Sequence, residues 1–215
     1  MVQVILNECV ALEYSGYAND VLFDSNVPEK LKQLNPQAVA EPSIIIVGGG
    51  MLVKGLDEAL TGKEYSKQYS VTLQPAQAFG MRRMDLVRTL PLKLFTEKNV
   101  HPRAGMTLTL DDSLVKIVAV SGARVVADFN NPLANKVIRY DFTVTKKVDD
   151  EHQRARAALH TVFKFVPSFI LRDTKVVVQL PQPLEQFVLM QQERFTKLMG
   201  KPLGFEVKAL EEKTV

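Results

Sequence analysis

Cysteine is almost absent from this chain: Cys9 stands alone in 215 residues. One thiol excludes an intrachain disulfide and any cysteine-built zinc site. Its place in an apolar stretch reads as a buried packing thiol with no redox use. Histidine is nearly as scarce. His101, His152 and His160 are scattered and no His-rich tail is present, so neither a metal nor another cofactor is expected. No apolar run approaches the ~18 residues that span a bilayer. The first residues lack the basic and apolar regions of a secretory signal, so we expect a soluble, cytoplasmic protein with no membrane partner. Charge of one sign is also lacking, the net value being +3. Residues 1–150 carry 17 Lys+Arg against 17 Asp+Glu, which leaves the excess in residues 151–215, with 10 against 7. So thin a spread is a solvated surface and not the clustered footprint of nucleic-acid binding. No nucleophile elbow supports hydrolase chemistry.

What is present is ample core material, with 46% hydrophobic and 24% charged residues, enough for one full core or two to three small ones. Apolar residues recur near period two over residues 2–14, which predicts a strand with one buried face. Asn19-Asp20 supplies turn chemistry before Val21-Leu22-Phe23, so an antiparallel pair follows. Residues 26–42 read as a loop or broken helix, and Ser43-Ile44-Ile45-Ile46-Val47 as a buried strand. Leu52, Val53, Leu56, Ala59 and Leu60 share one helical face, with Gly62 at the left-handed cap. Residues 69–73 predict a further strand. Short strands and turns occupy residues 84–128, with Asp111-Asp112-Ser113 and Ser121-Gly122 as hairpin turns. Alternation returns over residues 137–148. Beyond Asp150 come a helix up to Pro167, a strand at 175–180, a helix at 184–199 capped by Gly200, and a last strand at 205–210.

Gly48-Gly49-Gly50 before a helix raises the reading of a phosphate loop. Neither the Gly-Lys-Ser/Thr ending of that loop nor the dinucleotide spacing Gly-x-Gly-x-x-Gly is present, so nucleotide binding is set aside. Four segments instead follow in a fixed order: Glu13-Tyr14-Ser15-Gly16, Val21-Leu22-Phe23-Asp24-Ser25, the stretch 48–62, and Pro75-Ala76-Gln77-Ala78-Phe79-Gly80. That order resembles the FKBP family of peptidyl-prolyl cis-trans isomerases. Asp128-Phe129-Asn130-Asn131-Pro132-Leu133-Ala134-Asn135-Lys136 is similar to the Asp-Phe-Asn-His-Pro-Leu-Ala-Gly-Lys return sequence of its SlyD-like branch, in which a domain is inserted into the flap. By length and position, residues 149–215 resemble the extra C-terminal domain of the long archaeal members.

The resemblance implies an α+β fold: an FKBP-like antiparallel sheet wrapped on a short helix, a small β-rich insert domain in the flap, and a C-terminal α/β domain. The boundaries it implies are 1–83 with 129–148 for the isomerase domain, 84–128 for the insert and 149–215 for the last domain. It implies a prolyl pocket of Tyr14, Phe23, Asp24, Leu52, Val53, Leu56, Phe79 and Tyr140, with Asp24 held by the Tyr14 hydroxyl. Leu94, Phe95 and Met106 are expected on the insert's surface for capturing chains. The partners implied are unfolded or nascent polypeptides with X-Pro bonds, and an FKBP-type macrolide as a ligand class. The activity implied is prolyl isomerisation with folding-chaperone action, the alternative being a holdase with little isomerase activity. Phe79 lacks the hydroxyl that the family aims at the substrate carbonyl, and one such donor is worth ~1–3 kcal/mol. Asn131 replaces the flap histidine and Asn135 the glycine.

Overall fold

The computed structural model describes residues 2–110 and 113–207. In chain order the first elements are β1 (Cys9–Ala18), β2 (Val21–Ser25), α1 (Pro28–Leu34), β3 (Ser43–Ile46), α2 (Lys54–Leu60) and β4 (Gln68–Leu73). Then come β5 (Val87–Pro91), α3 (Lys93–Thr96), β6 (Thr107–Leu110), β7 (Ser113–Ser121) and β8 (Arg124–Asp128). The remainder is β9 (Ile138–Lys147), α4 (Glu151–Phe163), β10 (Ser168–Leu171), β11 (Val176–Leu180), α5 (Glu185–Met199) and β12 (Leu203–Val207). The fold is mixed α+β. The chain forms two compact units, one from residues 1–73 and 138–215, the other from 74–137. The expected turn residues Asp111 and Asp112, and residues 208–210 of the expected last strand, lie outside the described residues.

In the first unit the main sheet runs β2-β1-β9-β4, with β3 also paired to β1. Asn19 and Asp20 both take positive φ, 50° and 61°, which suits the tight β1–β2 turn. The register sets Gly16 opposite Tyr140, Tyr14 opposite Phe142 and Leu12 opposite Val144. Alternation decides which face is dry: Ile138, Tyr140, Phe142 and Val144 of β9 are buried while the residues between them are half-buried. Leu56 and Leu60 of α2 are also fully buried, a burial that stabilises by roughly 1.5–3 kcal/mol per side chain. Residues 26–42, read as a loop or broken helix, contain α1, which starts on Pro28 where a missing N–H costs nothing.

The start of β1 departs from simple alternation, because Cys9, Val10, Ala11 and Leu12 are all buried. Its second face is covered by α4. Asp150 caps that helix by accepting from Gln153 N at 2.7 Å. The buried side of α4, with Ala155, Ala158, Leu159 and Val162, shares one core with Cys9, Ala11, Ile46 and Val148. The same core continues into the three-stranded sheet β10-β11-β12, in which β11 and β12 run parallel, and into Val188, Phe195 and Met199 of α5. Residues 149–207 therefore share a core with the first sheet and belong to the same compact unit.

The second unit is an antiparallel sheet ordered β5-β8-β7-β6 around Phe95, Val115, Ile117, Val125 and Ala127. Its two ends are tied by Asn130, which accepts from Arg83 N at 2.8 Å and donates to Arg83 O at 2.9 Å. Asn135 takes φ 62°, a left-handed conformation that asparagine tolerates, so its replacement of glycine leaves that backbone shape intact. Among the described residues no helix is long and apolar enough to cross a membrane.

Candidate functional site

The β1–β2 hairpin and β9 build an aromatic cluster in the first unit. The Tyr14 and Tyr140 ring centroids are 6.0 Å apart at 66°, and Phe23 and Tyr140 are 6.1 Å apart at 75°. Both are edge-to-face pairs, the arrangement that aromatic quadrupoles favour. Gly16 makes the packing possible: a Cβ there would stand 2.7 Å from Tyr140 Cε1 and 2.8 Å from Phe23 Cζ. The sequence carries Gly16 inside a motif, but only the register against Tyr140 shows why a side chain is excluded.

The Tyr14 hydroxyl donates to Asp24 Oδ2 at 3.1 Å. Burial, together with the Asp24 charge and its hydrogen bond, pushes the Tyr14 hydroxyl up to about 12. Burial and the same carboxylate also raise Tyr140. A proton thus stays between Tyr14 and Asp24 throughout the neutral range, and the one carboxylate of the cluster keeps its donor.

A second positioning device is absent from the sequence expectations. β2 pairs with residues 15–18 of β1 and β3 with residues 9–12, leaving the edge at Tyr14 without a strand. Asn26 fills that gap. Its Oδ1 accepts from Tyr14 N at 2.7 Å, while its Nδ2 donates to Leu12 O at 2.8 Å and to Ser43 Oγ at 3.1 Å. The amide side chain stands in for a peptide group. The only sequence signal was its place directly after Phe23-Asp24-Ser25.

Gly48-Gly49-Gly50 leads into α2, and its amides are already engaged. Asp57, 6% exposed, accepts from Gly48 N at 2.8 Å and from Gly50 N at 2.9 Å. That carboxylate occupies the place a phosphate would need. The turn carries Leu52 and Val53 to the start of α2. Val53 is the N-cap in extended conformation, φ −60° and ψ 142°, and its own N–H makes no hydrogen bond among the described residues. Leu56, one turn on, is buried.

Tyr14 and Leu52 also line a cleft of about 710 Å³ whose other wall is α4, with His152, Arg156 and His160. Phe79 belongs to the second unit, in the loop after the single turn Pro75–Gln77. Phe95 requires a correction: it is 2% exposed and is the centre of the second unit's core, because the short α3 turns it inward onto Val115 and Ile117. Leu94 and Met106 are 45% and 38% exposed. Among the described residues no group of three or more His, Cys, Asp or Glu is arranged to hold a metal ion.

These features define a class, and the chain belongs to the FKBP-type peptidyl-prolyl cis-trans isomerases. The family sequence model described as FKBP26, IF domain, the insert-in-flap domain, matches residues 88–133. A probable FKBP-type 16 kDa peptidyl-prolyl cis-trans isomerase of Pseudomonas fluorescens is 30% identical over 108 residues, 48% of this chain and 71% of that protein. The short-type peptidyl-prolyl cis-trans isomerase of Methanocaldococcus jannaschii is 29% identical over 138 residues, 63% of this chain and 88% of that protein. An FKBP-type isomerase SlyD of Treponema pallidum is 29% identical over 147 residues, covering 65% and 76%.

Proposed function

We propose that this protein catalyses cis-trans isomerisation of X-Pro bonds in unfolded or partly folded polypeptides. The observation that carries the reading is the cluster of Tyr14, Phe23 and Tyr140 packed over Gly16, with its one carboxylate, Asp24, held by Tyr14. Such a site is aromatic and carries no nucleophile. Rotation about the prolyl amide has a barrier of about 18–20 kcal/mol because twisting removes resonance. The twisted amide is less dipolar than the planar one, so an apolar site binds it more favourably than water does, and that differential binding lowers the barrier. Tyr14, Phe23, Leu52, Leu56 and Tyr140 then hold the prolyl ring, and Val53 N–H donates to the substrate carbonyl. Asp24 shapes the electrostatics of the wall. An FKBP-type macrolide is the small-molecule class suited to the same apolar surface.

Residues 84–128 are assigned to chain capture, with Leu94 and Met106 on the exposed apolar surface. Tethering captured chain to the polypeptide that carries the pocket raises its local concentration. The holdase reading is favoured by one residue: Phe79 offers no hydroxyl to a substrate carbonyl. Exchange NMR on an Ala-Leu-Pro-Phe peptide, beside refolding of a proline-limited protein, separates the two. Accelerated exchange supports the isomerase; equal rates with and without a high concentration of protein leave only the holdase.

A further inference from the structure

The cleft that begins at Tyr14 and Leu52 does not end at the prolyl site. Its far wall is α4, from which His152, Arg156 and His160 all face the same space. They are spaced i, i+4 and i+8, so they form one stripe about 12 Å long. An extended polypeptide rises roughly 3.3 Å per residue, and that stripe spans three to four residues of chain. No Asp or Glu lines the cleft among the described residues. The acidic groups at the start of α4 are committed elsewhere: Asp150 caps the helix and Glu151 pairs with Lys201. His152 is held by its ring contact with Phe169, 4.8 Å between centroids. Arg156 is exposed and has neither a hydrogen-bond nor an ion-pair partner among the described residues. Among the described residues, a cation without a partner thus stands in a cleft that no carboxylate lines, and that cleft shares Tyr14 and Leu52 with the prolyl site.

We infer that this cleft is a substrate subsite, in which Arg156 selects polypeptides bearing an acidic side chain two to four residues from the isomerised proline. The inference rests on the isomerase reading and adds a substrate class to it. The occupant is the substrate chain itself, because the cleft shares Tyr14 and Leu52 with the site that takes the prolyl bond. Charge decides the side chain: an arginine pairs with a carboxylate through paired N–H donors and repels lysine.

The test is a peptide series built on Ala-Leu-Pro-Phe, with Glu, Gln or Lys at each of the four positions on either side of proline, followed by exchange NMR. A Glu peptide is expected to exceed its Gln counterpart in kcat/KM by about two- to fivefold at positions two to four on one side, through KM. The ratio shrinks toward one at about 0.5 M salt, where exposed charges are screened. Arg156→Gln brings the ratio to one at low salt, and Arg156→Glu turns the preference toward the Lys peptide. Both substitutions are at an exposed position, so folding is retained. A ratio of one at every position in the unaltered protein, or a ratio that survives Arg156→Gln, overturns the subsite. The Gln peptides report separately on isomerisation. If none of them is turned over, the isomerase reading falls, and the Glu-to-Gln comparison is then read as Kd by chemical-shift titration, where equal values overturn the subsite too.

Discussion

Tyr14 and Asp24 face each other across the β1–β2 hairpin, the hydroxyl donating to Oδ2 at 3.1 Å beside two further aromatic rings. The hydrogen bond leaves Asp24 satisfied on the side where water is scarce, and it fixes the Tyr14 ring against Tyr140.

Tyr14→Phe is expected to lower kcat/KM on a prolyl peptide about tenfold, since the loss of one charge-assisted bond of this kind is worth ~1.4 kcal/mol or more. A pH signature accompanies it. The Tyr14 hydroxyl is raised from 10.0 to about 12 in the folded protein. A raised value means that the folded state holds the proton more tightly, so this contribution to stability is complete below pH 10 and is lost between pH 10 and 12. Ultraviolet titration of tyrosinate in the folded protein should show a late-ionising group that disappears in Tyr14→Phe; an unchanged titration would contradict the assignment.

Gly16→Ala is expected to damage the site more than the fold. The new methyl meets Tyr140 and Phe23 at 2.7 and 2.8 Å. Overpacking of this kind typically costs ~1–3 kcal/mol. Circular dichroism should report a folded protein with a lowered Tm, while peptide isomerisation drops by more than tenfold (over ~1.4 kcal/mol). Full activity in a folded variant would remove the aromatic cluster from the mechanism.

Cys9 offers a probe of α4. The thiol is 5% exposed and burial pushes it up to about 11. The thiolate is the reacting form, so labelling by an aromatic disulfide at pH 8 should be slow in the native protein and fast in denaturant. Trimming the helix contact by Leu159→Ala should speed native labelling several-fold, since a cavity of that kind costs ~2–5 kcal/mol of packing. Rapid labelling of the unaltered protein would place the helix away from the sheet.

How much of this was legible in the chain depended on what each side chain must do locally. The alternation of Ile138, Tyr140, Phe142 and Val144 announces a one-faced strand, and Tyr14, Phe23 and Asp24 sit in recognisable order, so the sheet and its aromatic cluster were within reach. The contact between α4 and β1 was not. An amphipathic helix shows that it buries a face and not what covers it, although the unbroken run Cys9-Val10-Ala11-Leu12 carried a hint, since a strand buried on both sides loses alternation. His152 and His160 looked scattered because they are eight residues apart in the chain, and on α4 the spacing i, i+4, i+8 brings them to one side with Arg156 between them. Phe95 was misplaced on the surface because periodicity has no purchase on a four-residue helix.

Replacing residues 84–128 by a short loop is expected to keep peptide isomerisation within about an order of magnitude (~1.4 kcal/mol). Catalysed refolding and suppression of aggregation should weaken greatly, because affinity for extended chains is assigned to the insert. Retention of full refolding activity would move chain capture to another part of the molecule.

The strand order β2-β1-β9-β4 places β9 between two strands made long before it. On a ribosome the first sheet therefore has no middle until residue 147 has emerged, whereas the second unit is one uninterrupted stretch, residues 74–137, with its own core. At ~5–20 residues per second, β4 waits roughly 4–15 s for β9 and β1 roughly 6–26 s. The inserted unit can fold within that interval, so the order of synthesis favours its completion before the isomerase site exists. During those seconds the apolar residues of β1 are themselves an unfinished chain in need of cover.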